Sequence, residues 1–237
     1  MTCRPLGGEI APMTKRFLFH SIIVVILSAF FVQAETKLPS ILSSHMVLQQ
    51  DEKCPIWGWD EAGTKVTVSF AGQSHTAKTG KDGRWQVSLT AMKANAKGAA
   101  LTIKGSSIVK LEDVLVGEVW LCSGQSNMEW TVSRSANPKE EIANGNHPLI
   151  RHIKIPHRPS AKPESNVSST GWQPCTPKVV ANFTAVGYYF GRHLHKKLNV
   201  PIGLIGSNWG GTRIEPWIPP VGFKSVPALK ENFADKL

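Results

Sequence analysis

A chain of 237 residues, 41% apolar and 19% charged, has enough material for one large domain or two modest ones, and its composition excludes a disordered protein. The formal net charge is +10, yet the lysines are scattered and form neither a basic helix nor an aromatic-interleaved stripe. That pattern argues against a nucleic-acid partner and for a solvated basic surface, with an anionic sugar as the acidic ligand such a surface would tolerate.

Residues 1–34 read as a leader and signal peptide. Met13-Thr-Lys-Arg supplies a basic start, Ile22 to Val32 is dominated by apolar residues, and Val32-Gln33-Ala34 offers small residues for cleavage before Glu35. Residues 1–12 precede a second Met and lack this character, so either Met1 or Met13 is the start. The apolar run is shorter than the about 20 residues of a membrane span and is interrupted by Ser21 and Ser28. Export to the periplasm or the extracellular space, with no span left after cleavage, is the expectation. Cys54, Cys122 and Cys175 follow the leader, an odd number without metal-ligand spacing. Two of them can pair in an exported protein, but spacing does not say which.

From residue 35 to 113 short strands alternate with turn residues. Cys54 to Trp59, Lys65 to Phe70, Gln73 to Thr79, Trp85 to Leu89, Ala99 to Lys104 and Ser107 to Leu111 all read as strands, with Lys81-Asp82-Gly83 as a hairpin turn. This spacing predicts an antiparallel β-sandwich of Ig or jelly-roll type. Trp57, Trp59 and Trp85 serve either its core or a sugar-stacking platform, core being the commoner use.

At Val116 the pattern changes. Val119 to Cys122 reads as a buried strand, Ser123-Gly124 as a tight turn, and Ser126-Asn127 as a helix start. A serine at such a strand-to-helix turn has its hydroxyl raised above the sheet edge, with backbone N–H groups nearby, as a hydrolase nucleophile requires. The same residues also describe a plain capped helix, and Met128 stands where Gly-x-Ser-x-Gly would place its second Gly. Residues 131–180, rich in Pro, Asn and Ser, read as a long surface excursion with one strand-like segment, Leu149 to Ile155. His147, His152 and His157 in that region read as surface or strand residues.

Asn182 to Leu198 is the strongest helical pattern, with Phe183, Val186, Phe190 and Leu194 on its apolar face. Ile202 to Ile205 reads as a second buried strand, followed by Gly206-Ser-Asn-Trp-Gly-Gly-Thr212. Strand, helix, long loop, helix, strand predicts the opening of an α/β domain with a parallel sheet, whose ligands bind at the carboxyl ends of its strands.

Gly124-Gln-Ser-Asn-Met-Glu-Trp130 resembles the first block of the SGNH (GDSL-like) hydrolases in the form found in carbohydrate acetylesterases. Pro201-Ile-Gly-Leu-Ile205, Trp209-Gly-Gly-Thr212, Ile214-Glu215 and Trp217 resemble the sialate O-acetylesterase family. So do Met46-Val-Leu-Gln-Gln50, Trp57-Gly-Trp59 and Phe183 to Gly191. The resemblance implies an α/β SGNH-hydrolase-type three-layer domain, incomplete and occupying residues 114–237, preceded by the β-sandwich of residues 35–113. It implies hydrolysis of O-acetyl esters on sialic acid or related glycans, without metal or organic cofactor. Ser126 takes the role of nucleophile. The Ser126 N–H and the Gly210-Gly211 turn take that of the oxyanion hole. Gln125, Asn127, Asn208, Thr212 and Glu215 become pocket candidates, and Glu129 and Glu215 are either pocket acids or partners of nearby Lys or Arg.

A serine nucleophile needs a base, normally His oriented by an acid. The family carries these as Asp-x-x-His, which is absent from this sequence. The expectation is therefore the N-terminal part of a longer enzyme, inactive alone, with its His and Asp outside the chain. Acetyl-xylan or another polysaccharide is the alternative substrate, and a non-catalytic glycan-binding module the alternative function.

Overall fold

The computed structural model describes residues 1–2, 35–160 and 162–228, so the leader and its cleavage site lie outside the described residues. Ten strands are present among the described residues: β1 (Val47–Gln49), β2 (Cys54–Trp59), β3 (Lys65–Phe70), β4 (Gln73–Lys78), β5 (Arg84–Leu89), β6 (Asn95–Lys104), β7 (Ile108–Gly124), β8 (His147–Lys154), β9 (Gln173–Cys175) and β10 (Ile202–Asn208). Four helices accompany them: α1 (Ser126–Glu129), α2 (Pro138–Ala143), α3 (Ala185–Leu198) and α4 (Pro220–Ser225). No helix among the described residues is long and apolar enough to cross a membrane.

Eight strands form one mixed sheet in the order β4-β3-β6-β7-β10-β8-β9, with β1 pairing β7 in parallel; β2 and β5 form a separate antiparallel pair. The spine is β7, 17 residues long. Its first half pairs antiparallel with β6 and its second half parallel with β10. Between the halves, β7 sets two residues, Glu112 and Asp113, opposite one on β6, Ala100, and Asp113 takes φ 54°. That is a β-bulge with one extra residue. Arg151 of β8, almost fully buried, donates to Asp113 Oδ2 at 2.8 Å, and His45 Nδ1 lies 2.8 Å from the same oxygen. Burial alone would raise the Asp113 carboxyl, but the hydrogen bonds from Arg151 and His45 outweigh it and hold the pKa below the usual range.

The boundary expected between residues 113 and 114 thus falls at a bulge inside a single strand, and the described residues from 35 onward form one compact unit. Ile56, Trp85, Val87 and Leu89 from β2 and β5 share a core with Val66, Val68, Leu101 and Ile103 from the large sheet. Trp85 is core and Trp57 packs against it. Cys54, Cys122 and Cys175 are all free and buried, so no pair of them is joined; burial pushes the Cys122 thiol up to about 11 and Cys175 to about 12. The excursion over 131–180 contains more structure than expected, since α2 and β9 lie within it. Pro138 at the helix start and Glu140 and Glu141 in its first turn were the available signals for α2.

The α3 pattern was legible, but its inward face was not. Thr184 caps the helix by accepting from Gly187 N–H, and the buried positions are Ala185, Gly187, Tyr188 and Gly191. Val186 and Phe190, expected inside, are exposed. Small residues face the sheet because the approach is close. A Cβ on Gly187 would stand 2.8 Å from Cys122 Sγ, and one on Gly191 would stand 3.2 Å from Leu204 Cδ1. Gly187→Val is therefore expected to cost about 1–3 kcal/mol, the usual range for overpacking. Val186→Ala should stay within about 0.5 kcal/mol, as an exposed substitution does. Urea unfolding midpoints compare the two.

Candidate active site

Two chain reversals meet at the carboxyl ends of β7 and β10. The strands are parallel and in register through Asn208↔Gly124, so they end together, and the ladder continues with Trp209 N–H donating to Gly124 O at 2.9 Å. After β7 the chain turns through Gln125 into α1, and after β10 it turns through Gly210-Gly211. The Gly211 N–H donates to Ser126 Oγ at 3.4 Å. Ser126 is exposed, at the first position of α1, where backbone N–H groups have no carbonyl one turn earlier to accept them. The structure thus brings Ser126 and Gly211, two of the residues singled out in the sequence, together.

The turn is built from glycines for two separate reasons. Gly211 takes φ +77°, a region an L side chain rarely adopts. Gly210 lies so close to its neighbours that a Cβ there would stand 2.8 Å from Glu129 Oε2 and 3.3 Å from Ser126 Oγ. The Gly210 N–H donates to Glu129 Oε2 at 2.6 Å. Of the two glycine amides, Gly210 is thus committed to a carboxylate, and Gly211 is the one directed at the serine.

Glu129 is a hub. Its Oε1 lies 2.8 Å from His157 Nε2 and 3.9 Å from Lys154 Nζ. Lys154, at the end of β8, also donates to the side-chain oxygen of Asn208 and to its backbone carbonyl. His157 Nε2 is 2.9 Å from the same carbonyl, and its ring stacks on Trp209 with centroids 4.5 Å apart. Partial burial lowers the Lys154 pKa, with Glu129 opposing the shift. Asn208 is buried and donates from Nδ2 to Cys122 O at 3.2 Å, tying the two strand ends together from below.

The other expected pocket residues divide. Gln125 Nε2 donates to Thr212 O at 3.0 Å, so both belong to the joined turns. The Thr212 hydroxyl donates to Trp209 O and accepts from Trp217 Nε1. Asn127 is exposed on α1. Glu215 Oε2 is buried and without a hydrogen-bond partner among the described residues. His157, read as a surface or strand residue, instead sits at the site. The available signal was that Ile155 to Arg158 follow a strand parallel to the other two, whose carboxyl end is where ligands bind. A groove of about 540 Å³ runs beside the turn, lined among others by His157, Arg158, Trp209, Thr212 and Trp217. A larger cavity, about 700 Å³, is lined around Thr36, His45 and Trp172 and includes none of these residues.

Beneath the hub lies His152, on β8, packed against Phe183 with ring centroids 4.3 Å apart and with Nε2 unpartnered. Burial, aided by the Lys154 charge, lowers its pKa to about 3, so it is neutral.

No family model matches the chain. It is 34% identical over 215 residues to the human sialate O-acetylesterase, covering 83% of this chain and 41% of that protein. It is 33% identical over 200 residues to the rat sialate O-acetylesterase, covering 76% and 37%. Among solved structures, a carbohydrate acetylesterase from Xanthomonas citri superposes with TM-score 0.77 at 36% identity, over 79% of this chain and 43% of that one. The chain spans about two fifths of the length of the curated relatives it matches. The mixed sheet with helices laid on it has the layout of such a hydrolase.

The buried imidazole makes stability depend on pH with a definite sign. In the unfolded chain His152 takes up a proton near pH 6.5, whereas the native protein does so only near pH 3. Between these values the unfolded state binds more protons, so this contribution is full above pH 6.5 and is lost as the pH falls toward 3. His147, whose pKa burial and then the Arg192 charge lower, acts in the same direction. The urea midpoint is expected to drop between pH 7 and pH 4.5, and His152→Phe should flatten that drop. Equal drops in both proteins would contradict it.

Proposed function

We propose, from its likeness to the sialate O-acetylesterases, that the chain belongs to a serine esterase that removes O-acetyl groups from sialic acid or related glycans. The observation that carries this reading is the Gly211 N–H directed at Ser126 Oγ at the carboxyl end of a parallel sheet. Ser126 attacks the acetyl carbonyl. The Ser126 and Gly211 N–H groups receive the negative charge that develops on the carbonyl oxygen, and Glu129 holds the turn through Gly210. The groove flanked by Trp209 and Trp217 receives the sugar ring.

Among the described residues no histidine nitrogen is hydrogen-bonded to Ser126 Oγ, and Nε2 of His157 is turned to Glu129 and Asn208. In this reading the proton acceptor is a His–Asp pair outside these 237 residues, and the chain alone turns over little substrate. The protein is exported, to the periplasm or beyond, where acetylated glycans are met, and in residues 35–113 the β2–β5 pair and the antiparallel half of the large sheet serve as the β-sandwich beside the catalytic strands.

A fluorophosphonate mimics the tetrahedral species and reports on nucleophile and oxyanion donors together. In the chain joined to the unmatched C-terminal portion of the human relative, which would supply the base, peptide mass spectrometry is expected to find the adduct on Ser126 in preference to every other serine, and Ser126→Ala should abolish it. Gly211→Ala keeps its N–H but strains the turn at φ +77°, and by displacing that donor should slow labelling by up to about 10²-fold, as the loss of one oxyanion donor does. Adduct spread over the surface serines would support a glycan-binding module. For the substrate, the chain joined to the unmatched C-terminal portion of the human relative is expected to release acetate from O-acetylated sialoglycans faster than from acetyl-xylan.

A further inference from the structure

The sheet has an open flank beside the site. On the side of β7 away from β10, β1 pairs only as far as Gly117, and Gln49 Oε1 accepts the Val119 N–H at 2.8 Å. From Trp120 to Gly124 no described strand pairs on that side. The apolar side chains there are uncovered as well. Trp120 is 42% exposed and Leu121, on the opposite face of the sheet, 65%. On α3, Val186 and Phe190 are 48% and 40% exposed, and Phe190 meets Trp120 edge-to-face at 5.0 Å. A contiguous apolar surface joined to unpaired strand backbone is what soluble proteins avoid leaving bare.

We propose that this flank docks a strand-and-helix segment of the kind carried by the part of the longer relatives that has no counterpart here. The new strand runs parallel to β7 along Trp120 to Gly124. Three observations choose this occupant. More than half of each relative, and of the solved acetylesterase, lies outside the match. β7, β10 and β8 are all parallel, and parallel sheets are covered by helices on both faces. Trp120 and Leu121 are exposed on opposite faces, so a bare strand would leave both open, whereas a strand flanked by helices closes them. A second copy of this chain meeting across a twofold axis would pair its β7 antiparallel instead. The inference rests on kinship with the esterases, not on their activity.

The test uses the 237-residue chain with the C-terminal portion of the human relative that lies beyond the matched residues, both mixed and fused to the chain's end. Light scattering after gel filtration is expected to show a 1:1 complex of the mixed chains. Hydrogen-exchange mass spectrometry is expected to show new protection at residues 118–124 and 186–190 in both forms. Leu121→Arg and Val186→Glu, both exposed and so tolerated by the free chain, should each weaken the complex by about 30-fold or more, as loss of an interface anchor does. Ser126→Ala should bind unchanged, which keeps this result separate from that of the labelling experiment. Absence of protection in both mixed and fused forms overturns the proposal. So does a homodimer of this chain protected over the same residues, or a complex indifferent to Leu121→Arg and Val186→Glu.

Discussion

The parallel pairing of β10 with β7, held in register to the last residue of each, decides where the chemistry can occur. Because Asn208 stands opposite Gly124, the two strands release the chain at the same height, and Trp209 N–H carries the ladder one step further. The turns that follow then have no choice but to meet. A slip of one residue would turn the inward face of β10, with Ile202 and Leu204 fully buried, toward the wrong side of the sheet. Burial of each such side chain contributes about 1.5–3 kcal/mol, so the core fixes the register and the register fixes the site.

On that frame the charges arrange themselves around one carboxylate. Glu129 accepts from Gly210, faces His157 and lies near Lys154, while Asn208 receives Lys154 and holds Cys122. The result is a polar floor that joins α1, the end of β8 and both turns. It leaves the Gly211 amide as the donor facing the serine. His157 stacked on Trp209 closes one wall of the groove.

Much of this was legible because strands announce themselves locally. Cys54–Trp59 and Lys65–Phe70 carry alternating burial along their length, and both strands have the bounds that alternation and turn residues assign them. Ser126 and Gly211 were legible through turn chemistry. What was not legible depends on approach distances that no single stretch encodes. The inward face of α3 is set by how closely Gly187 and Gly191 lie to Cys122 and Leu204, so the large apolar residues point away from the sheet. The continuity of β7 through Asp113 depends on Arg151 and His45, residues 38 and 68 positions distant. The role of His157 likewise exists only once β8 is known to lie beside β10.

The Ser126 hydroxyl and the Gly211 amide are proposed to cradle developing negative charge together, and a crystal structure of the chain fused to the C-terminal portion of the human relative and phosphonylated tests this most directly. The account expects phosphorus bonded to Ser126 Oγ, with one phosphoryl oxygen within hydrogen-bond distance of both the Ser126 and Gly211 N–H groups. A phosphoryl oxygen turned to solvent, with the glycine turn displaced from the adduct, would contradict it.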